Sequence, residues 1–135
     1  MPIDYRIDHE RRLVLATAHG EVTEDDVFTY QKTVWSEPTH AGYGELVDMS
    51  DVAAVKTPSV AGMRNLAALS ASMDTPQRAS RFAIVAPGDL AFGLGRMYQT
   101  YRELLKTDSR KKVAVFRTRA EALDWLAGAG LGQDG

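Results

Sequence analysis

Residues 44–50, GELVDMS, constrain the fold more tightly than any other stretch of the chain. Leu46, Val47 and Met49 form a short apolar run broken only by Asp48, and Ser50-Asp51 follows as a turn signal. Segments with helical spacing lie on both sides. A run this short between two such segments reads as a buried central strand feeding a crossover helix. That pattern predicts an α/β fold built on a mostly parallel sheet. In open sheets of this kind, ligands gather where the strands end at their carboxyl side, so a site is expected there.

The flanking segments supply the other elements. Ile3, Tyr5 and Ile7 alternate with Asp4, Arg6 and Asp8, the period-two pattern of a strand with one wet face. Residues 12–19 read as a second strand, joined to the first by a hairpin at His9-Glu10 and ended by Gly20. Thr23 with Asp26 forms a capping-box pattern that opens a first helix carrying Val27, Tyr30 and Val34, with Phe28 and Trp35 beside them. Thr57 is the expected N-cap of a second helix, with Pro58 at its first position. Val60, Met63, Leu66, Ala67, Leu69 and Met73 form its inner side, and Thr75-Pro76 ends it.

Residues 81–86, RFAIVA, read as a strand buried on both faces. Pro87-Gly88-Asp89 turns the chain into a third helix with Leu90, Leu94, Met97, Tyr98, Tyr101 and Leu105 inward. Residues 112–116 form the last strand. Thr118 and Glu121 make a second capping box for a final helix bearing Ala122, Leu123, Trp125 and Leu126. The order is therefore ββαβαβαβα: a mostly parallel sheet with an antiparallel edge hairpin and four helices. One domain is expected over residues 1–128, followed by a flexible tail at 129–135.

At 135 residues the chain is long enough to bury a core without cross-links. Sixteen basic and eighteen acidic residues leave a net charge of −2, which does not favour a nucleic-acid partner. The absence of cysteine excludes disulfides, thiolate metal sites and a cysteine nucleophile. His9, His19 and His40 lack metal-ligand spacing, so neither a metal nor another cofactor is expected. The first ten residues lack the apolar core of a secretory leader, and no apolar run is long enough for a membrane span. A soluble, cytoplasmic protein without stable membrane insertion is the expectation. No G-x-S-x-G elbow, P-loop or kinase signature is present, and GAGLG near the end follows a helix instead of a strand.

GELVDMSDV, RFAIVAPGDLAFGLGRMY and KVAVFRTRAEALDWL occur in the order and spacing of the SpoIIAA-like family, whose fold resembles STAS (anti-anti-sigma) domains. The resemblance spans residues 3 to about 128 and rests mainly on core patterns. It implies a small non-enzymatic α/β domain. STAS relatives engage partner proteins, sometimes under serine phosphorylation, and the SpoIIAA-like branch is likened to CRAL-TRIO lipid carriers. The phosphorylated position of signalling members lies in an Asp-Ser pair at the start of the helix after the central strand. Lys56-Thr57, followed by Pro58, stands there in this chain, a departure that weakens the carry-over. Thr57 is accordingly expected to be a structural cap that is not phosphorylated.

The candidate site residues follow from the same reading. Thr57 and Ser59 bracket a helix N-terminus, where free N–H groups and the dipole favour anions, although ordinary capping explains both. Asp48 in an apolar strand must be hydrogen-bonded or lie at a crevice mouth, because an unpaired buried carboxylate is costly. Gly93 and Gly95 inside a helix each cost about 1 kcal/mol relative to alanine, which suggests a close approach of backbone or ligand, or else a helix that starts late. Phe92, Met97 and Tyr98 beside them are candidates for an apolar pocket, with plain core packing as the alternative. Lys106, Arg110, Lys111 and Lys112 form a basic cluster that reads as a solvated helix end. The leading functional expectation is a regulatory or protein-interaction module, and the alternative is a carrier or sensor of a small apolar or lipid-like ligand. A homodimer is also expected, with Tyr30 and Trp35 near the outer boundary of the first helix.

Overall fold

The computed structural model describes residues 2–56, 59–74, 78–105 and 110–129. Its elements are β1 (Ile3–Asp8), β2 (Leu13–Thr23), α1 (Glu24–Trp35), a short 3-10 turn (Pro38–His40), β3 (Gly44–Lys56), α2 (Val60–Ser72), β4 (Ser80–Val85), α3 (Asp89–Leu104), β5 (Lys111–Phe116) and α4 (Arg119–Ala129). The expected order ββαβαβαβα holds. The strands form one five-stranded sheet in the order β1-β2-β3-β4-β5. β1 pairs antiparallel with β2, and every later neighbour is parallel.

This simple strand order dictates where the helices lie. Three successive crossovers step in the same direction across the sheet, and a shared right-handedness puts their helices on one face. Accordingly Val14, Ala16, Ala18, Phe82 and Ile84 point toward side chains of α1, α2 and α3. The alternate residues Leu13, Leu15, Leu46, Ala83 and Val85 point the other way, against Ala122, Leu123, Trp125 and Leu126 of α4. β3 and β4 are therefore covered on both faces, as their apolar runs require. Leu46, Val14 and Val85 are fully buried. Truncating such a leucine to alanine costs about 2–5 kcal/mol.

Several local expectations are met. The capping box of α1 is complete: Asp26 N–H donates to Thr23 Oγ1 at 3.1 Å and Thr23 N–H to Asp26 Oδ2 at 2.9 Å. At α4, Glu121 N–H donates to Thr118 Oγ1 at 3.2 Å, and that hydroxyl donates onward to the Glu121 carboxylate at 3.0 Å.

Others are corrected. Gly20 does not end β2; the strand passes through it at φ +70°, a left-handed conformation that glycine adopts at least cost, and its register with β3 shifts there. Ser50-Asp51 is not a turn either. β3 continues past the end of β4, pairing with β2 from Asp51 opposite His19 to Lys56 opposite Thr23, which satisfies its backbone groups. Because the strand runs this far, α2 starts later than expected. Ser59, not Thr57, is its N-cap, with Ser59 Oγ accepting from Gly62 N–H at 2.9 Å. Thr57 and Pro58 lie outside the described residues, as do Thr75, Pro76, Lys106 and residues 130–135 of the expected tail; α4 itself reaches Ala129. Val60 and Leu90, assigned inward, are 50% and 61% exposed. Tyr30, expected on the apolar stripe of α1 but near its outer boundary, is buried in the core, and Trp35 packs partly against it.

Candidate functional site

Beyond the point where β4 stops at Val85, opposite Asp48, the sheet narrows to β2 and β3 while α1, α2 and α3 still span its face. Under these helices lies a cavity of about 140 Å³ that extends back over Phe82 and Ile84 of β4. Val47, Met49 and Val55 of β3 form its floor, and Met63 and Leu66 of α2 with Leu94 of α3 form its roof. A smaller hollow of about 60 Å³ adjoins it between Glu24 and Phe28 of α1 and Ser59 and Gly62 of α2, sharing Val27, Val55, Met63, Leu66 and Leu94 with the main cavity. The two thus lie side by side between the α1/α2 seam and the core. A wider groove of about 690 Å³ lies at the amino edge of the sheet, bordered by Arg11, Arg12, Arg78 and Arg81 and by Leu13, Leu123 and Leu126.

The cavity is apolar except at one end, where Tyr30 and Gln31 of α1, Glu45 of β3 and Tyr98 of α3 reach it. Behind these lies a buried charged network at the amino ends of β3 and β5. Tyr30 OH donates to Glu45 Oε2 at 2.6 Å, and Trp35 Nε1–H reaches the same oxygen at 3.4 Å. Lys111 Nζ stands 4.0 Å from Glu45 Oε1 and 4.0 Å from Asp74 Oδ1, with its ammonium over the Trp35 ring. Arg102 bridges Asp74, Ser70 Oγ at 2.7 Å and Tyr98 OH at 3.1 Å. Among the described residues, two acids and two bases thus meet.

Burial pushes the Glu45 carboxyl up, against the opposing pull of Lys111 and of the hydrogen bonds from Tyr30 and Trp35. Burial likewise lowers Lys111, which Glu45 and Asp74 resist. The Tyr98 hydroxyl is pushed up to about 12, again chiefly by burial. Tyr30 is driven well above its ordinary value by burial, with Glu45 adding to it. Both hydroxyls are therefore neutral donors at physiological pH.

The expected site residues scatter. Gly95 and Tyr98 line the cavity. Gly95 also lets α3 settle onto the sheet, since a Cβ there would lie 3.2 Å from both Val115 methyls. Gly93 faces open space, Phe92 packs under the Arg117 guanidinium at 3.8 Å, and Met97 lies partly buried elsewhere on α3. Asp48 does sit at the carboxyl end of the sheet, on the face opposite the cavity. There Oδ1 accepts from Ser50 N–H at 2.9 Å and Oδ2 from Arg119 at 2.9 Å. Partial burial would raise this carboxyl, but the Ser50 hydrogen bonds and Arg119 outweigh it and hold it below the usual range. Ser59 is a cap whose hydroxyl lies 3.3 Å from the Glu24 carboxylate.

The polar end of the cavity was missed in sequence. Lys111, assigned to a solvated basic cluster, has a side chain only 8% exposed, because β5 begins one residue earlier and turns it onto the helical face. The available signal was Glu45 inside GELVDMS together with a lysine opening a strand on the same face. His9, His19 and His40 bond separately to Tyr43, Asp4 and the Val34 carbonyl, and no metal-binding group forms among the described residues. No helix among them is long and apolar enough to cross a membrane.

This arrangement, a mixed five-stranded sheet with three crossover helices on one face and the last helix on the other, is a SpoIIAA-like α/β fold. A crystal structure of an uncharacterized DUF3478-family protein with a SpoIIAA-like fold, from Shewanella loihica PV-4, aligns with it at a TM-score of 0.58 and 17% identity, covering 92% of this chain and 93% of the other. At that identity the likeness establishes the fold. No protein-family model matches the chain, and neither does any curated protein.

Proposed function

We propose that the protein is a non-enzymatic binding module that takes a small, largely apolar molecule into the cavity between its sheet and its helices. The observation that carries this reading is the 140 Å³ cavity with its adjoining hollow leading toward the surface. A cavity of about 150 Å³ lined by apolar side chains holds a benzene-sized ligand. The volume therefore selects a compact ring or short branched chain over a full-length lipid. A binding role is also supported by the carboxylates, each of which has structural partners: Glu45 with Tyr30 and Lys111, Asp74 with Arg102, and Asp48 with Ser50 and Arg119.

The test is thermal unfolding with a panel of benzene-sized apolar compounds. A ligand at a hundred times its Kd stabilises the folded state by about 2.7 kcal/mol, a rise readily seen in the melting temperature. Leu94→Trp, placed where cavity and hollow join, should abolish that rise and keep unfolding cooperative. The absence of any rise across the panel in the unmodified protein refutes the reading.

A second reading, docking of a protein partner of which another copy of this chain is the simplest, is favoured by exposed Val60 and Leu90. They lie in the first turns of the neighbouring helices α2 and α3. Light scattering at tens of micromolar should then show a dimer, and Val60→Glu with Leu90→Glu should return it to monomer. A monomeric mass for the unmodified protein rules out self-association as the docking mode.

A further inference from the structure

β1 is the outermost strand of the sheet, and no described strand pairs with its outer side. His19 N–H donates to the Pro2 carbonyl at 2.8 Å, and the register continues with Asp4 opposite Thr17 and Arg6 opposite Leu15. In an antiparallel ladder, residues that exchange both hydrogen bonds alternate with residues that exchange none. Pro2, Asp4, Arg6 and Asp8 therefore turn their backbone groups toward β2, and Ile3, Tyr5 and Ile7 turn theirs outward. Such an edge is a template for a further strand unless side chains guard it. Asp4, Tyr5 and Arg6 are exposed, and Tyr5 keeps 44% of its surface open although its ring stands edge-on to Tyr30.

The side chains of this edge are complementary to themselves. When β1 meets a second β1 antiparallel, outward residues must face outward residues, which leaves registers centred on Asp4, Tyr5 or Arg6. Centring on Asp4 sets the two Asp4 carboxylates opposite each other. Centring on Arg6 opposes the two guanidinium groups and sets Asp4 against Asp8. Like charges directly opposite destabilise a sheet. Centring on Tyr5 instead sets Asp4 against Arg6, twice by symmetry, in the non-hydrogen-bonded pairs whose Cα atoms come closest, at about 4.5 Å. On the other face it sets Tyr5 beside Tyr5 and Ile3 opposite Ile7, which extends the apolar cluster to which both isoleucines belong. A carboxylate has two oxygens, so Asp4 keeps its 2.8 Å contact with His19 through Oδ2.

We propose that β1 is a docking edge for a second copy of this chain, joined antiparallel about a two-fold axis at Tyr5 so that two five-stranded sheets become one. This rests on the self-association reading above and gives it a surface other than Val60 and Leu90. A two-fold contact of this kind is closed, so assembly stops at the dimer.

The experiment combines light scattering at tens of micromolar with cross-linking. Arg6→Glu puts like charges into both symmetric pairs and should weaken the dimer about tenfold. Asp4→Lys with Arg6→Glu restores opposite charges in swapped order and should recover it. The chain has no cysteine, so Tyr5→Cys introduces a single thiol, which the axis sets opposite its own copy within disulfide reach. Oxidised glutathione should convert that variant to a covalent dimer, and Glu10→Cys, exposed just beyond β1, should link far less. Loss of the dimer in Arg6→Glu and its retention in Val60→Glu with Leu90→Glu assign the contact to β1. The reverse pattern, or equal cross-linking of the two cysteine variants, overturns the β1 edge and leaves self-association standing. A monomeric mass for the unmodified protein, with no cross-link through Tyr5→Cys, overturns the two together.

Discussion

Lys111→Met should be among the most damaging single substitutions in this chain. The Lys111 ammonium lies 4.0 Å from an oxygen of Glu45 and 4.0 Å from one of Asp74, and the three side chains are 8%, 3% and 5% exposed. At an effective dielectric constant of about 20, each contact corresponds to about 4 kcal/mol of Coulomb attraction. Desolvation of the ammonium and repulsion from Arg102 offset part of that sum. Removing one partner of a buried pair and stranding the other costs about 3–5 kcal/mol, the loss expected at neutral pH. Glu45→Gln in the same background should restore most of it, since glutamine still accepts from Tyr30 and Trp35 without a stranded charge.

The pH dependence has a definite sign. Burial already raises Glu45 above 4.5, and loss of Lys111, which lowers it, raises it further. A carboxyl whose folded-state pKa exceeds its unfolded value loses stability as pH rises from the unfolded pKa through the folded one. The Lys111→Met penalty should therefore shrink on going from pH 7 toward pH 5. Urea unfolding of the single and double variants at both pH values measures every quantity. A loss below about 1 kcal/mol, or strict additivity of the two substitutions, would refute the account of this network.

Three further outcomes follow from local geometry. Gly93→Ala, with open space at its Cβ, should stabilise the protein by about 0.5–1 kcal/mol in urea unfolding. Gly95→Leu should instead destabilise it by about 1–3 kcal/mol, because Val115 and Ile84 block the added bulk; equal effects at the two glycines would contradict the packing of α3. Ser59→Ala should cost about 1 kcal/mol through loss of the α2 cap, and an unchanged midpoint would show that the cap contributes nothing.

The sequence by itself determined the element types, their order and most helix ends. Period-two alternation in β1, apolar runs in β3 and β4, and the Thr23–Asp26 and Thr118–Glu121 pairs are local properties, readable wherever neighbouring residues settle the outcome. The length of β3 was not local. Ser50-Asp51 has turn chemistry, but β2 offers its backbone partners through Lys56, and that pairing carried the strand onward and moved the α2 cap to Ser59. The polar end of the cavity lay still further from view. Tyr30, Glu45, Asp74, Tyr98, Arg102 and Lys111 come from α1, β3, the segment after α2, α3 and β5, and each reads as an ordinary surface or helix residue in its own segment. Only the strand register that sets Glu45 and Lys111 on the same face, with α1 and α3 laid across it, makes them one buried network. The cavity is likewise lined from β1 to β4 and from α1 to α3, and no single stretch of sequence contains it.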